Sequence, residues 1–341
     1  MSQAARWLLC ASLVAIALLG GSAPLEAPAA RAAGGWWLMY ASAGDIWETD
    51  GSQVLQLTND GHLSQPGLNG GVLVWVHRDA NGSDIWAASA SDPPHALTHN
   101  VSATVSANHW AAQPTVAADG ASLFLLSDYN SSTTGVGDLA IWQLDLPQAR
   151  PRQITKPAEY TGGDQDIALS PSNPHQLVFT RYGYGNDQQQ LEQLNWLDVT
   201  VGVPVALTPP ESPSRQLAFA PDGQHVAFVQ SDAGGEHLYT GQLDTSGSQP
   251  QLTDVNQVDG GVTAQPTWRA DGNAVAYIAL INHQFQLWEM SVNVDADGHV
   301  HSDTPHQFGH VNTIDATSRP MWLTADEAHD VQTWLAEPAA S

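Results

Sequence analysis

The chain has 341 residues, one cysteine and a formal net charge of −25, a length that suits one large repeat fold or two ordinary domains. A single cysteine excludes an intramolecular disulfide and a zinc site built on several thiolates. The acidic composition argues against nucleic acid and anionic membrane surfaces as partners, because both are themselves negatively charged. The simplest interpretation of this charge is solubility outside the cell.

Residues 1–32 have the pattern of a secretory signal peptide. Arg6 gives a weakly positive start, and the apolar run WLLCASLVAIALLG follows at 7–20. Ala30-Arg31-Ala32, with small residues at 30 and 32, offers a cleavage site before Ala33. The run is short for a membrane span, and an uncleaved N-terminal anchor is the alternative. We expect an exported chain that is not inserted in the membrane after cleavage. Because Cys10 lies in this run, the mature chain would hold no cysteine, and its net charge would be −26.

Beyond residue 35, two sequence features recur together at intervals of 39–57 residues. One is an aromatic residue in a short apolar run, and the other is a terminal Leu-Thr-like pair. The aromatics are Trp47, Trp86, Trp142, Trp196, Tyr239 and Trp288, and the pairs end at Thr58, Thr98, Thr155, Thr208 and Thr253. The sixth unit ends at Phe308 without the Thr. A period of this length predicts a repeat architecture.

Tight-turn signals lie between these two features. Clear copies are QLAFAPDGQHVAFVQ at 216–230 and QPTWRADGNAVAYIA at 265–279. Asp-Gly accepts the positive φ of a hairpin turn, and the alternating apolar runs on either side predict half-buried strands. Each unit therefore predicts four short antiparallel strands, which is typical of a β-propeller blade.

The two ends of the repeat region complement each other. Residues 36–58 lack a first strand, whereas SRPMWL at 318–323 is a lone first strand. We predict that this strand completes the N-terminal blade and closes an all-β, six-bladed propeller, since an open ring would expose strand edges. The predicted blades are 318–323 with 36–58, 65–98, 113–155, 165–208, 214–253 and 265–308.

The segment at 324–338 differs from the repeats. Thr324 and Glu327 form a capping box, and Val331, Trp334 and Leu335 fall on one helical face. We predict a short C-terminal helix that packs on the last strand.

The repeated unit resembles the repeats of TolB-like propellers. The matching stretches are PTWRADGNAVAY (266–277), FAPDGQHVAF (219–228), GDIWETDG (44–51) and SDIWAAS (83–89). The resemblance covers nearly all of 36–323 and implies the propeller fold. It implies less about function, because such propellers act in periplasmic protein contacts, as gating modules of serine peptidases and as polysaccharide lyases. The α/β domain that precedes the propeller in the namesake protein has no counterpart here, so a strict Tol-type role is not implied.

The sequence lacks the common catalytic motifs. It contains no Gly-x-Ser-x-Gly elbow, no His-Glu-x-x-His, no phosphate loop and no Gly-x-Gly-x-x-Gly. This absence favours a binding or scaffold protein over an enzyme, and we predict no cofactor.

One polar position recurs at the start of each first strand, just before the Pro position. First strands line the channel of a propeller, so these residues should surround one mouth. We call this set the channel ring; its members are Gln65, Gln113, Asp166, Gln216, Gln265 and Arg319. It is either a structural ring of amides bonded to each other and to water, or a polar funnel for a small ligand or an inserted partner segment.

The longest loops belong to blades three and four and should lie at the same mouth. They span 100–113, 127–138, 156–166 and 181–193. Their candidate binding residues are Trp110, Tyr129, Tyr160, Asp164, Tyr182 and Tyr184. Tyr and Trp beside polar groups suit protein partners and sugar rings, and aromatic packing under the loops is the alternative.

The segment NVDADGHVHSD at 293–303 is the most calcium-like. Asn293, Asp295 and Asp297 alternate before Gly298, as in a calcium loop, but the acid expected at the twelfth position is Thr304. We interpret the segment as an Asp-Gly turn, with calcium as the alternative. We interpret four nearby histidines as exposed strand residues: His299, His301, His306 and His310.

We therefore predict an exported, monomeric, non-catalytic propeller that engages a protein, a peptide or a small ligand at its funnel face. The alternative is an extracellular polysaccharide lyase or hydrolase that uses carboxylates at the channel mouth, such as Asp164 and Asp166.

Overall fold

In the computed structural model of the protein, the described residues are 35–104, 107–129, 138–146, 150–186, 188–232, 235–259, 261–311 and 313–338. The predicted signal peptide at 1–32 and most of the loop at 127–138 lie outside this part of the chain. The described part folds into six antiparallel sheets, one for each predicted blade.

The strands follow one another blade by blade along the chain. Blade one has β1 (Trp36–Ser42), β2 (Asp45–Thr49) and β3 (Val54–Gln56); blade two has β4 (Leu63–Asn69), β5 (Val72–Asp79), β6 (Gly82–Ser89) and β7 (His95–Ala96); blade three has β8 (Ala111–Val116), β9 (Ser122–Ser127), β10 (Ala140–Asp145) and β11 (Arg150–Gln153). Blade four has β12 (Asp164–Leu169), β13 (Gln176–Tyr184), β14 (Gln190–Asp198) and β15 (Val205–Ala206); blade five has β16 (Ser214–Phe219), β17 (His225–Asp232), β18 (Gly235–Asp244) and β19 (Gln251–Asp259). Blade six has β20 (Thr263–Trp268), β21 (Ala274–Ile281), β22 (Gln284–Val294), β23 (Val300–Ser302) and β24 (His306–Gln307), and β25 (Met321–Thr324) and α1 (Ala325–Ala336) follow.

The C-terminal strand closes the ring. β25 pairs with β1 in antiparallel register, with Trp37 opposite Leu323, and supplies the missing first strand of blade one. The first strands also contact one another in a complete circuit, β25 to β4, β8, β12, β16, β20 and back to β25. The predicted six-bladed fold and its closure are confirmed.

The recurrent aromatic has the same place in every blade. It lies on the third strand, directly opposite one residue of the second strand. The six pairs are Tyr40–Trp47, Trp75–Trp86, Leu125–Trp142, Val178–Trp196, Phe228–Tyr239 and Tyr277–Trp288. Because directly opposed side chains pack together, the aromatic recurs as part of the scaffold.

The recurrent Thr satisfies a backbone donor. The Oγ1 of Thr58 accepts the N–H of Ile46 at 2.9 Å, and Thr98 accepts that of Ile85 at the same distance. In blade one the hydroxyl then donates to the Oδ1 of Asp45 at 3.0 Å. Thr253 departs from this pattern, since its hydroxyl donates to a carbonyl at 3.5 Å.

Helix α1 forms as the capping box predicts. The Oγ1 of Thr324 accepts the N–H of Glu327, and the Glu327 carboxylate accepts the N–H of Thr324. Val331 and Trp334 are buried in a cluster with Trp37 and other side chains of blades one and two. Within the described residues, no helix combines the length and the apolar character needed to cross a membrane.

Blade six carries an extra hairpin. β22 is long enough to pair twice, at Trp288 with β24 and at Val292 with β23. β24 therefore supplies the fourth strand of the blade, and the calcium-like segment is the turn between β22 and β23.

Candidate functional site in the central channel

Five members of the channel ring share an unusual backbone. The φ angles are 51° at Gln65, 48° at Gln113, 56° at Asp166, 59° at Gln216 and 52° at Gln265. Residues other than Gly seldom adopt this left-handed region. Each one also lies where the pairing of the first and second strands shifts register. A β-bulge of this kind takes a residue out of its own ladder and redirects it.

The redirected N–H groups bond to the preceding blade. Gln113 N–H donates to the Oε1 of Gln65 at 2.7 Å, and Asp166 N–H donates to the Oε1 of Gln113 at 2.6 Å. Likewise, Gln265 N–H donates to the Oε1 of Gln216 at 2.9 Å. The side-chain amides are therefore acceptors that join neighbouring blades.

One connection runs through a hydroxyl. Gln216 N–H donates to the Oγ1 of Thr180 at 3.2 Å, and that hydroxyl donates to the Oδ2 of Asp166 at 3.0 Å. Blades four and five are thus linked through Thr180. No sequence pattern indicated this residue, because its role depends on strand β13 lying beside β12.

Blade one departs from the pattern. Gln65 N–H donates to the Oγ of Ser318 at 3.0 Å, so Ser318 takes the role that the sequence assigned to Arg319. Ser318 N–H is bonded to the carbonyl of Asp315 at 3.0 Å. Among the described residues, no hydrogen bond reaches the side-chain amide of Gln265. The hydrogen-bonded chain is therefore interrupted between blades six and one, where Arg319 lies.

Arg319 projects into a channel of about 400 Å³ that is lined by first-strand residues from all six blades. Its guanidinium donates no hydrogen bond to any described residue, although an arginine offers five N–H donors. Burial lowers the pKa of Arg319, and the charge of Asp166 opposes that shift. The channel therefore contains a cation whose donors are uncommitted.

Asp166 stands on the opposite side of the ring. Blades one and four face each other across a circuit of six. Burial raises the pKa of Asp166, and the Arg319 charge and the Thr180 hydroxyl oppose that shift. The two groups interact electrostatically without a direct ion pair.

Two of the predicted loop aromatics are packing residues. Tyr129 lies edge-on against His109 and Trp142, with centroid distances of 5.5 and 5.2 Å, and burial raises its pKa. The Arg78 guanidinium lies over the ring of Trp110 at 5.6 Å.

The other three aromatics differ in exposure. Tyr160 is 68% exposed and Tyr184 is 50% exposed. Tyr182 is partly buried, and burial, followed by the charge of Asp166, raises its pKa. Tyr160 is therefore accessible on its loop, whereas Tyr184 is accessible at the end of strand β13. The predicted loop at 181–193 is shorter in the structure, because Tyr182 and Tyr184 pair with β14.

Asp164 is committed to an ion pair. Its oxygens accept from the Nε and a terminal nitrogen of Arg181 at 2.7 and 2.9 Å, and its side chain is fully buried. Asp164 is therefore not available for acid–base chemistry, whereas Asp166 accepts a hydrogen bond from Thr180 and keeps further acceptor positions.

The calcium-like segment folds as a turn. The Oδ1 of Asp295 accepts N–H groups of Asp297 and His299 at 2.9 and 3.0 Å, and its Oδ2 lies 2.8 Å from the Nε2 of His301. The His301 contact, followed by these backbone bonds, lowers the pKa of Asp295. Asp295, Asp297 and His299 do come together, whereas Asn293 pairs with His301 in the hairpin. The Asp295 oxygens serve the turn itself.

Comparison with known proteins finds solved structures with the same fold. No protein-family model and no curated protein sequence matches the chain. A TolB from Acinetobacter baumannii superposes with a TM-score of 0.60 at 17% identity, over 84% of this chain and 66% of that one. A putative TolB from Agrobacterium tumefaciens gives 0.54 at 16% identity, over 86% and 98%. An oligogalacturonate lyase in complex with manganese gives 0.51 at 12% identity, over 75% and 69%.

These identities establish the fold and nothing finer. The chain spans slightly less than two thirds of the A. baumannii protein and nearly all of the A. tumefaciens one. Together with the six closed blades, they show that the chain has the six-bladed β-propeller fold of the TolB structures.

Proposed function

We propose that this protein is an exported, non-catalytic binding propeller that takes a small ligand or a segment of a partner into its central channel. The observation that carries the proposal is Arg319, a channel cation with no hydrogen bond to a described residue. Arg319 is partly exposed to the channel, and a charged group that has lost part of its hydration is stabilised by an oppositely charged partner, which supports a role in which a ligand completes it.

The backbone of the channel ring supports the same proposal. Each left-handed residue other than Gly costs about 1–2 kcal/mol, and five occur around one channel. Strained backbone clusters at functional sites, where the surrounding structure holds it in place. The left-handed residues direct their N–H groups toward the neighbouring blades, and they also hold the channel ring in a fixed arrangement.

The loop surface suits a larger partner around the channel. Tyr160 is exposed on the loop that leads into blade four, and Tyr184 is exposed at the end of strand β13. Aromatic side chains of this kind are enriched where proteins bind each other. We propose that they contact the part of the ligand or partner that remains outside the channel.

A polysaccharide-active enzyme is less well supported. Acid–base chemistry needs carboxylates that are free to exchange a proton with the substrate. Asp164 is held by Arg181, so Asp166 lacks the second of the two candidate carboxylates that an acid and base pair would need. Release of unsaturated products from oligogalacturonate by the purified protein, with added divalent cations, would establish the enzyme instead.

Export is part of the proposal and rests on residues 1–32. Expression of the full chain followed by N-terminal mass determination tests it. Cleavage near 32 and recovery outside the cytoplasm are the expected results, and an intact N-terminus in the cytoplasm would contradict them.

A bulky side chain at Thr317 would crowd the channel beside Arg319, which lies two residues further along the chain. This exposed residue lines the channel, and its N–H and hydroxyl both bond to Asp315. Thr200 is a matched control, because it is exposed and bonds to Asp198 in the same way. Thr317→Trp should narrow the mouth, whereas Thr200→Trp should not.

The test compares the wild-type protein with these two variants by calorimetric titration. The probes are a panel of small carboxylates, amines, amino acids and oligosaccharides. We expect at least one class to bind the wild type and Thr200→Trp equally, and Thr317→Trp at least about tenfold more weakly. Binding that Thr317→Trp leaves unchanged, or no binding of any class, contradicts the proposed function.

A further inference from the structure

We infer that the channel ligand is zwitterionic, with a carboxylate that pairs with Arg319 and an ammonium that pairs with Asp166. This inference rests on the proposed function and specifies its ligand class. It follows from the placement of the two charges, from their unused hydrogen-bonding capacity and from the charge balance of the channel.

The placement comes from the propeller itself. Arg319 precedes the first strand of blade one, and Asp166 lies in the first strand of blade four. Both line the same channel of about 400 Å³. Because these blades are opposite in a ring of six, a cation and an anion face each other across the space. This volume falls within the range of about 300–1,000 Å³ seen for small-molecule pockets.

Both groups retain capacity for a ligand. Arg319 donates to no described residue. Asp166 accepts from the Thr180 hydroxyl at 3.0 Å and, more weakly, from the amide of Gln113 at 3.5 Å. A carboxylate has about four lone-pair positions, so Asp166 can accept further N–H groups. Arginine is also the side chain best suited to hold a carboxylate through two parallel hydrogen bonds.

Arg215, the other cation that acts on Asp166, is already paired with carboxylates. The Arg215 charge also acts on Asp166. Its guanidinium, however, lies 3.2 Å from Glu192 and 2.6 Å from Glu236. Asp166 and Arg319 are therefore the two charges of the channel ring that a ligand can engage.

Charge balance separates a zwitterion from simpler ions. A simple anion on Arg319 would face the Asp166 carboxylate across the channel, and the chain as a whole carries a charge of −25. A simple cation on Asp166 would face Arg319 in the same way. Like charges repel each other, whereas a zwitterion pairs both groups. Glu327 also lines the channel, and its carboxylate is held by the capping box with Thr324.

The experiment uses probes that differ only in charge. Glycine, β-alanine, γ-aminobutyrate and ε-aminocaproate are titrated against the protein to find the amino acid with the best length. That amino acid is then compared with the carboxylate and the amine of equal chain length. The wild-type protein should prefer the amino acid over both by about tenfold or more.

Two substitutions should replace the preference for the amino acid by a preference for one of the simple ions, a different ion in each variant. Arg319→Gln removes the cation and should shift selectivity to the amine, and Asp166→Asn should shift it to the carboxylate. Arg319→Lys keeps the charge and should retain the preference for the amino acid. Circular dichroism and thermal melting identify any variant that fails to fold. If one does, the affinities of the wild type and of Arg319→Lys for the three probes still test the inference.

The outcomes separate the two proposals. Equal affinity of the wild type for the amino acid and for either simple ion overturns the inference, as does an equal loss of all three probes in both variants. If another probe class binds and Thr317→Trp blocks it, the proposed function stands and the zwitterion is wrong. If nothing binds in the channel, both fail.

Discussion

The backbone N–H of Asp166 donates a 2.6 Å hydrogen bond to the Oε1 of Gln113, which lies 53 residues earlier in the chain. Both residues sit in β-bulges with positive φ, so this N–H is not part of the ladder within its own blade. A buried backbone donor needs a partner, and here the side chain of the preceding blade supplies it. The channel ring therefore contributes to the cohesion of the propeller as well as to the lining of its channel.

Gln113→Ala removes that acceptor. We expect the free energy of unfolding to fall by about 1–3 kcal/mol, because a buried N–H loses its hydrogen bond. Urea denaturation of the purified protein measures the change. Gln249→Ala, at an exposed glutamine, should change stability by no more than about 0.5 kcal/mol. Equal effects of the two substitutions would contradict the inter-blade bond.

Gln265 allows a test of the backbone alone. Its φ is 52°, and no described residue bonds to its side-chain amide. Gln265→Gly should be more stable than Gln265→Ala by about 1 kcal/mol, because Gly accepts this φ without strain. Thermal or urea unfolding compares the two. At Gln143, within the regular strand β10, the order should reverse in favour of Ala. The same order at both positions would argue against the left-handed conformation.

The Arg181–Asp164 pair should be structural. Arg181→Met leaves a fully buried carboxylate unpaired and should cost about 3 kcal/mol, the lower end of the usual range, because Arg181 is 29% exposed. Arg181→Met combined with Asp164→Asn should recover part of this loss, since the buried charge is gone. Arg78→Met, which removes only the stacking on Trp110, should cost about 0.5–1 kcal/mol. A double variant no more stable than Arg181→Met would show that charge is not the cause.

The raised pKa of Asp166 predicts a pH dependence with a definite sign. The folded protein keeps this proton at pH values where the unfolded chain has lost it. The corresponding stability is present below the unfolded pKa and is lost as pH rises through the raised pKa. Asn cannot titrate, so the stability of Asp166→Asn relative to the wild type should rise with pH over that interval, as measured by urea denaturation between about pH 4 and 8.

Asp198 provides the opposite control. The hydroxyl of Thr200 lowers its pKa, so the stability that ionised Asp198 contributes is lost as pH falls. The stability of Asp198→Asn relative to the wild type should therefore rise as pH falls. If the stability relative to the wild type changes with pH in the same direction for both Asp→Asn variants, the assigned pKa directions are wrong.

The fold followed from local patterns in the sequence. Asp-Gly turns, one aromatic per repeat and the Leu-Thr pairs each report on a single strand or hairpin. Their period gave the number of blades, and the lone strand at 318–323 indicated the closure. The same patterns placed an Asp-Gly turn at 293–303, but they did not show that the hairpin of β22 and β23 is additional to the four strands of the blade.

The channel ring could be predicted only in part from the sequence. The recurrent polar residue before the Pro position gave the six positions, but it gave no signal for the positive φ that five of them adopt. The sequence also could not show that Ser318, rather than Arg319, bonds to Gln65, because that choice depends on how the chain enters β25. Likewise, Asp164 and Arg181 are partners only through the register of β12 with β13.

The most direct test of the account is the distance between the Arg319 guanidinium and the Asp166 carboxylate in a crystal structure of the ligand-free protein. We predict that the two groups face each other across an open channel, with the guanidinium nitrogens bonded to water or to no partner. A direct ion pair, with N···O distances of about 2.7–2.9 Å, would commit both charges to each other and contradict the proposed site.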